Sequence, residues 1–358
     1  MNTLPKIHPT VTRPLLAALA AAFVGVSASQ AALQTYTSDA NTLHLYTFSE
    51  AAGGSATANS GTIGGNAITA QESRSSISGN ASTITSATNM LGQTGFTGFG
   101  NAVNVAKPVP VSPATYVVGN QGIGFDASGN GSYSQNSSTT STFSQDALPS
   151  SGNTFASYFS GGGKDGSFTM EAMINVSAIN TPWTNGQRTL ISFESGVTAG
   201  SFPNNRSMYF RIDGGALQLG GAGDFRSTAI PVVGDHAFAA NQWFHAAVTY
   251  NAATTTTTFY WTRVDAAFTS ANSIGSTVGA QAPANLASGR PNLSFGSDSR
   301  GTFNETLGGL LDNVRISDIA RTADQFIFTA IPEPSSFAAL AGLGALGLVA
   351  NRRRRSVC

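Results

Sequence analysis

Ser167-Phe168-Thr169-Met170-Glu171-Ala172-Met173-Ile174-Asn175-Val176 is the stretch that decides the fold. Phe168, Met170, Ala172, Ile174 and Val176 fall at every second position, the period of a strand that buries one face. Glu171 stands alone on the opposite face, where alternation predicts a solvated side chain. The pattern recurs toward the C-terminus. Gln242 to Tyr250 reads as a strand, and Thr254 to Trp261 is a second one, dense in β-branched residues. Ser207 to Ile212 and Ala216 to Leu219 flank Asp213-Gly214-Gly215, a strong hairpin signal. Thr189 to Phe193, Asn292 to Gly296 and Gly309 to Ser317 supply further strands. Thr322 to Phe326 is expected to form one helical turn with Thr322 as its cap. Runs of strong helix formers are missing from the body of the chain, so the expected class is all-β, an antiparallel sandwich.

Outward toward the N-terminus, Leu43 to Phe48 alternates and reads as the first strand, followed by a turn at Glu50-Ala51-Ala52-Gly53-Gly54. Residues 56–100 are mostly small and polar, with isolated Ile63, Ile68, Ile77 and Ile84 as marginal strands or loop anchors. Ala102 to Val118 carries Pro108, Pro110 and Pro113, which confines it to an edge or an extended connection. Gly122 to Phe125 is a short strand. Asp126 to Gly163 is rich in Ser, Gly and Asn and reads as a long exposed loop. The stretch from about 55 to 165 is therefore an insert in the sandwich.

The strand from Phe168 to Val176, the run Trp243-Phe244-His245-Ala246-Ala247-Val248 and the closing Gly309-Leu310-Leu311-Asp312-Asn313-Val314-Arg315-Ile316-Ser317 resemble the laminin-G-like, concanavalin A-like jelly-roll family. The opening strand with Glu50 and Gly53 behind it is similar as well. So is Arg321-Thr322-Ala323-Asp324-Gln325-Phe326-Ile327 after the last strand. The resemblance implies a jelly-roll domain over residues 32–330 whose first and last strands are neighbours. It also places Trp243 at a core position.

The two ends of the chain read as addresses. Lys6 and Arg13 precede an apolar stretch from Leu15 to Val26, and Ser29-Gln30-Ala31 puts small residues at Ser29 and Ala31. That order is a secretory signal over residues 1–31, cut by signal peptidase before Ala32. At the other end stands Ile331-Pro332-Glu333-Pro334. An uncharged run from Ser335 to Ala350 follows, roughly 24 Å long as a helix, and then Arg352, Arg353, Arg354 and Arg355. A bilayer core is about 30 Å thick, so arginine stems must reach up to the interface to complete a span. The arginines hold the C-terminus on the cytoplasmic side. Residues 331–358 resemble the PEP-CTERM sorting signal of Gram-negative bacteria. The resemblance implies a C-terminal transmembrane helix, transient anchoring in the inner membrane and removal of the tail by an exosortase. It also implies residence at the cell surface or in the extracellular matrix, beside extracellular polysaccharide.

The whole chain has 18 basic and 18 acidic residues. Taking away Lys6 and Arg13 with the signal, and four arginines and Glu333 with the tail, leaves 12 basic and 17 acidic residues, a net charge near −5. A sparse acidic surface argues against nucleic acid as a partner. The body has no cysteine, which excludes disulfides and thiolate metal sites there.

Chemistry-bearing groups are few. His44, His236 and His245 are the only histidines of the body, and a nucleophilic triad needs an activated serine beside one of them. His44 and His245 are better read as structural. Glycoside hydrolysis needs a pair of positioned carboxylates, yet Glu171 and Glu194 have no acidic neighbours in sequence. No catalytic residue, metal ligand or cofactor is assigned; Asp126, Asp298 and Asp312 qualify as calcium ligands by type alone. Trp183, beside Pro182 and Asn185, is the aromatic expected to be exposed for a ligand. Tyr209, Phe225 and Trp261 are further platforms for a sugar ring, with core packing the stronger reading of each. The expectation is a non-catalytic surface or matrix protein, with a glycan-binding adhesion module and a glycan-active enzyme as the alternatives.

Overall fold

The computed structural model describes residues 33, 35–52, 56–57, 68–73, 84–86, 90–105, 109–112, 115–118, 120–124, 159, 163–180, 187–194, 206–221, 224–265, 267–268, 270–279, 292–297 and 305–327. In chain order the strands are β1 (Thr42–Tyr46), β2 (Ala56–Thr57), β3 (Ile68–Ser73), β4 (Ile84–Ser86), β5 (Gln93–Thr94), β6 (Asn101–Val105), β7 (Val109–Ser112), β8 (Thr115–Val118), β9 (Asn120–Gly124) and β10 (Phe168–Val176). They continue with β11 (Gln187–Glu194), β12 (Arg206–Asp213), β13 (Ala216–Gly221), β14 (Asp224–Ala229), β15 (Trp243–Asn251), β16 (Thr256–Arg263), β17 (Ser273–Val278), β18 (Asn292–Phe295) and β19 (Gly309–Ser317). Gln34–Thr329 forms one compact unit; the other comprises Met1–Leu33 and Ala330–Cys358. The predicted signal peptide and C-terminal helix lie outside the described residues.

Two antiparallel sheets make the sandwich. The first runs β17-β16-β15-β10-β19-β6-β5, with β1 also paired to β19; the second runs β14-β13-β12-β11-β18-β9-β3-β2, with β4 on β3. The first and last long strands are thus neighbours, His44 opposite Ile316 and Tyr46 opposite Val314. Ile68 and Ile84 do lie in strands, and β3 and β9 extend the second sheet. Of the proline-bearing segment, β7 and β8 form a separate hairpin as expected, but β6 at its start lies between β19 and β5 and is not an edge strand. Two edge strands escape the alternation pattern: β14 and β17 are polar or glycine-bearing and only partly buried.

Phe168, Met170, Ala172, Ile174 and Val176 of β10 enter the core with Phe193, Phe210, Ile212, Leu219, Phe244, Val248 and Ile316. Trp261 is fully buried and stacks on Phe244, ring centroids 4.5 Å apart. Trp243 is only half-buried at the start of β15, so the core tryptophan of this pair of strands is Trp261. Thr322 caps a short 3-10 turn, Ala323–Gln325, by a reciprocal capping box.

The outer face of the first sheet overturns one expectation. Glu171 is fully buried, and so are Thr169 and Met173 on the same face of β10. The segments before β1 and after β19 lie across this face and form a second buried layer. Arg321 donates from Nε to Ser317 Oγ at 2.8 Å and from both Nη atoms to Asp39 at 2.9 and 2.8 Å. Its backbone N–H donates to Thr169 Oγ1, which donates in turn to the Ile319 carbonyl. Alternation identifies which face a residue occupies, but it carries no information about a strap laid over that face.

Candidate functional site

Two clusters of functional side chains stand on the outer faces of the sheets. On the first sheet, Glu171 accepts from Arg315 Nε at 2.6 Å and from His245 Nε2 at 3.0 Å. The strands bring these residues together by register, since Glu171 is opposite Arg315 and Met173 opposite His245. Arg315 also donates to the Gln325 carbonyl and lies over the Tyr36 ring, 4.5 Å from its centroid. Phe326 closes the cluster against His245 and Tyr260, with ring centroids 4.9 and 5.1 Å away. Burial alone would raise the Glu171 pKa, but the charge of Arg315 and the bond from His245 outweigh it and hold the carboxyl below its usual range. Tyr36 is raised well above a free phenol by burial and by the Glu171 charge; its hydroxyl has no hydrogen bond of normal geometry. A polar cavity of about 240 Å³ opens beside Tyr36, Arg315, Arg321 and Gln325. Its arginines already serve Glu171 and Asp39, so the cluster joins the domain's ends and presents no free acid or base.

The outer face of the second sheet is built differently. Tyr209, Gly220 and Phe225 form one row across β12, β13 and β14. A Cβ on Gly220 would lie 2.3 Å from the Tyr209 hydroxyl oxygen, so only glycine lets that ring lie across β13. Tyr209 is thereby buried, while Phe225 remains 57% exposed. The next row is Arg211, Gln218 and Ser227. Arg211 donates to Gln218 Oε1 at 2.8 Å, Glu305 Oε2 at 2.9 Å and Asp213 Oδ2 at 3.1 Å, and sits 4.2 Å from the centroid of the Tyr209 ring. Thr189 Oγ1 donates to the same Glu305 oxygen at 3.3 Å. The face therefore offers one exposed ring, Phe225, above a polar array whose Arg211, Gln218, Glu305 and Thr189 are themselves buried and bonded to one another. An exposed ring on a rigid support suits stacking on a polar ring. Its two carboxylates are both engaged by one guanidinium.

Among the aromatic platforms, Trp261 belongs to the core, Tyr209 is buried against Gly220, and Phe225 is exposed. Trp183 lies outside the described residues, as do Ser29, Ala31, Pro332, Glu333, Pro334 and Arg352 to Arg355. The Arg211 network escaped the sequence reading; its one sequence trace was the Asp213-Gly214 hairpin that fixes Arg211 opposite Gln218.

Two stacked antiparallel sheets with adjacent first and last strands define a concanavalin A-like sandwich. Residues 150–326 match the concanavalin A-like lectin/glucanases superfamily. Residues 330–355 match the PEP-CTERM protein-sorting motif. The chain thus carries a concanavalin A-like, laminin-G-type domain with a PEP-CTERM motif directly behind it. No curated protein matches the sequence. Solved structures are similar to part of the chain at low identity. A Bacteroides ovatus ATCC 8483 protein described as carbohydrate-binding is 20% identical, covering 46% of this chain and 40% of its own, with a TM-score of 0.32. The CBM40 of Ruminococcus gnavus IT-sialidase, bound to α2,3-sialyllactose, is 12% identical over 46% of this chain and 83% of its own, at 0.35. The SAP-like pentraxin of Limulus polyphemus is 16% identical over 44% of this chain and 67% of its own, at 0.31. This chain spans well under two thirds of the length of the Bacteroides protein.

Proposed function

We propose that this chain is an exported surface or extracellular-matrix protein of a Gram-negative bacterium whose β-sandwich is non-catalytic and whose tail is cut by an exosortase. The observation that carries the reading is the PEP-CTERM motif at 330–355, immediately behind a domain matched to residue 326. The motif implies export and exosortase processing. Residues 1–31 act as the signal peptide and Arg352 to Arg355 stop transfer while the tail is bound. A non-catalytic sandwich is supported by the state of its acids: Glu171 is buried between Arg315 and His245, and Glu305 is bonded to Arg211. The deciding experiment replaces Pro332, Glu333 and Pro334 with alanine and follows the tail by an epitope placed after Cys358. Retention of the tail in the membrane fraction is expected. Tail removal at the wild-type rate would sink the exosortase assignment.

A second reading is favoured by the exposed Phe225 beside the Arg211 and Gln218 array: the domain adheres to extracellular polysaccharide through the outer face of the second sheet. It adds a ligand to the first reading and leaves the sorting route unchanged.

A further inference from the structure

The last turn of the domain is held down just ahead of the sorting motif. Phe326 and Ile327 are both buried. The Phe326 ring packs on His245 and Tyr260, with ring centroids 4.9 and 5.1 Å away. The Gln325 carbonyl accepts from Arg315 Nη2 at 2.9 Å, and the Ala323 carbonyl accepts from the Ala271 N–H at 3.4 Å. Only Phe328, Thr329, Ala330 and Ile331 then separate Ile327 from Pro332. Five residue steps, fully extended, reach about 17 Å.

The other half of this grip comes from the far end of the chain. Asp39 accepts from both Nη atoms of Arg321, and Arg321 Nη2 also donates to Thr42 Oγ1 at 3.2 Å. The Tyr36 ring lies against the Arg315 guanidinium that holds the Gln325 carbonyl. Residues 36–42 and 321–327 thus hold each other down on the outer face of the first sheet. Their contacts are largely polar, and the cavity lined by Thr35, Tyr36, Arg315, Arg321 and Gln325 opens beside them. Water takes over the hydrogen bonds that such a layer gives up, so the layer opens at lower cost than the apolar core between the sheets.

A protease takes its substrate as an extended stretch whose side chains enter pockets on both sides of the bond it cuts. While Phe326 and Ile327 stay buried, the domain leaves it four free residues before the Pro-Glu-Pro box. We propose that release of residues 323–327 from the sheet gates removal of the tail, and that the N-terminal strap, through Asp39, sets how often the gate opens. The gate rests on the exosortase reading and adds a control to it: a folded domain keeps its membrane tail longer than the motif alone would dictate. A substrate whose competent state is a minor one is engaged in proportion to that state's population. Minor states hold ~0.1–10% of molecules, so freeing the segment should speed the cut by roughly 10-fold or more.

The test follows an epitope placed after Cys358 by pulse-chase in the producing bacterium. One variant carries about ten Gly and Ser residues between Thr329 and Ala330, a flexible spacer that leaves every contact of the layer in place. Its tail should be removed roughly 10-fold faster than that of the wild type. Asp39→Asn, at the opposite end of the sequence from the cut, should speed removal several-fold. Gly220→Val strains the second sheet and leaves this layer alone, so its rate should match the wild type. A wild-type rate in the spacer variant or in Asp39→Asn would overturn the proposal. Equal acceleration by Gly220→Val would overturn it too, by making global unfolding the limiting step. Alanine at Pro332, Glu333 and Pro334 in the spacer variant tests the enzyme separately and should stop the cut. A cut that persists there removes the exosortase and the gate with it; a gate that fails while the cut stays alanine-sensitive leaves the exosortase standing.

Discussion

Arg315 Nε and Glu171 Oε1 stand 2.6 Å apart on paired strands, both side chains sealed under the segments before β1 and after β19. A buried pair of this kind costs desolvation on both sides, so its net contribution is small while its integrity matters greatly. Glu171→Ala leaves Arg315 charged and uncompensated and should lower stability by about 3–5 kcal/mol. Arg315→Met paired with Glu171→Leu should recover most of that loss. Urea unfolding of the two variants checks this; equal losses in the single and double variants would count against coupling.

Asp39 and Arg321 join the two ends of the domain through two N–H···O bonds. The Asp39 side chain is 44% exposed and that of Arg321 only 3%. Removing Asp39 would leave a buried guanidinium uncompensated, whereas removing Arg321 leaves a carboxylate that solvent screens. Arg321→Ala should speed amide exchange over residues 35–42 and 318–322 while leaving β11 to β13 unchanged. Uniform acceleration across both sheets would show instead that the strap holds up the entire sandwich.

The sandwich was legible because β10 and β15 alternate, β19 does so on either side of its register shift, and Asp213-Gly214 marks a hairpin. What remained hidden shares a cause. Glu171 looked solvated because its cover comes from residues some 130 to 150 positions away in sequence, and Arg211 looked like an ordinary strand arginine because Glu305 arrives from a distant loop. The polar edge strands β14 and β17 carry too little apolar signal to announce themselves. Trp243 is not the core ring of β15: its neighbour Phe244 is the inward residue there, and Trp261, opposite Ala246 on β16, stacks on Phe244 in the core.

Burial pushes the Asp312 carboxyl up to about 7. A carboxyl that binds its proton more tightly when folded favours folding at acid pH. Its penalty is absent below about 4, the unfolded value, and grows as the pH rises toward 7, to as much as about 4 kcal/mol. Asp39 and Glu171 act in the opposite sense, since their folded values are depressed. Their support is complete above about 4 and is lost as the pH falls. The protein should therefore be most stable near pH 5, with a falling limb toward pH 8 that Asp312→Asn removes. Chemical denaturation at half-unit pH steps measures the curve. A falling limb that survives Asp312→Asn would assign it to another group.

Phe225 is exposed where Tyr209 is not, because Gly220 lets the tyrosine lie flat between them. If the outer face of the second sheet carries adhesion, the two rings have different jobs. Phe225→Ala should leave the melting temperature within a degree or so and weaken retardation by the organism's own polysaccharide in affinity electrophoresis, by roughly the 10-fold that a stacking contact of ~1–1.5 kcal/mol represents. Gly220→Val forces the Tyr209 ring off β13 and should cost about 1–3 kcal/mol of stability as an overpacked site. It should also disturb Arg211, which rests on that ring. Retardation identical in Phe225→Ala and wild type would remove this face from the adhesion reading and turn attention to Trp183.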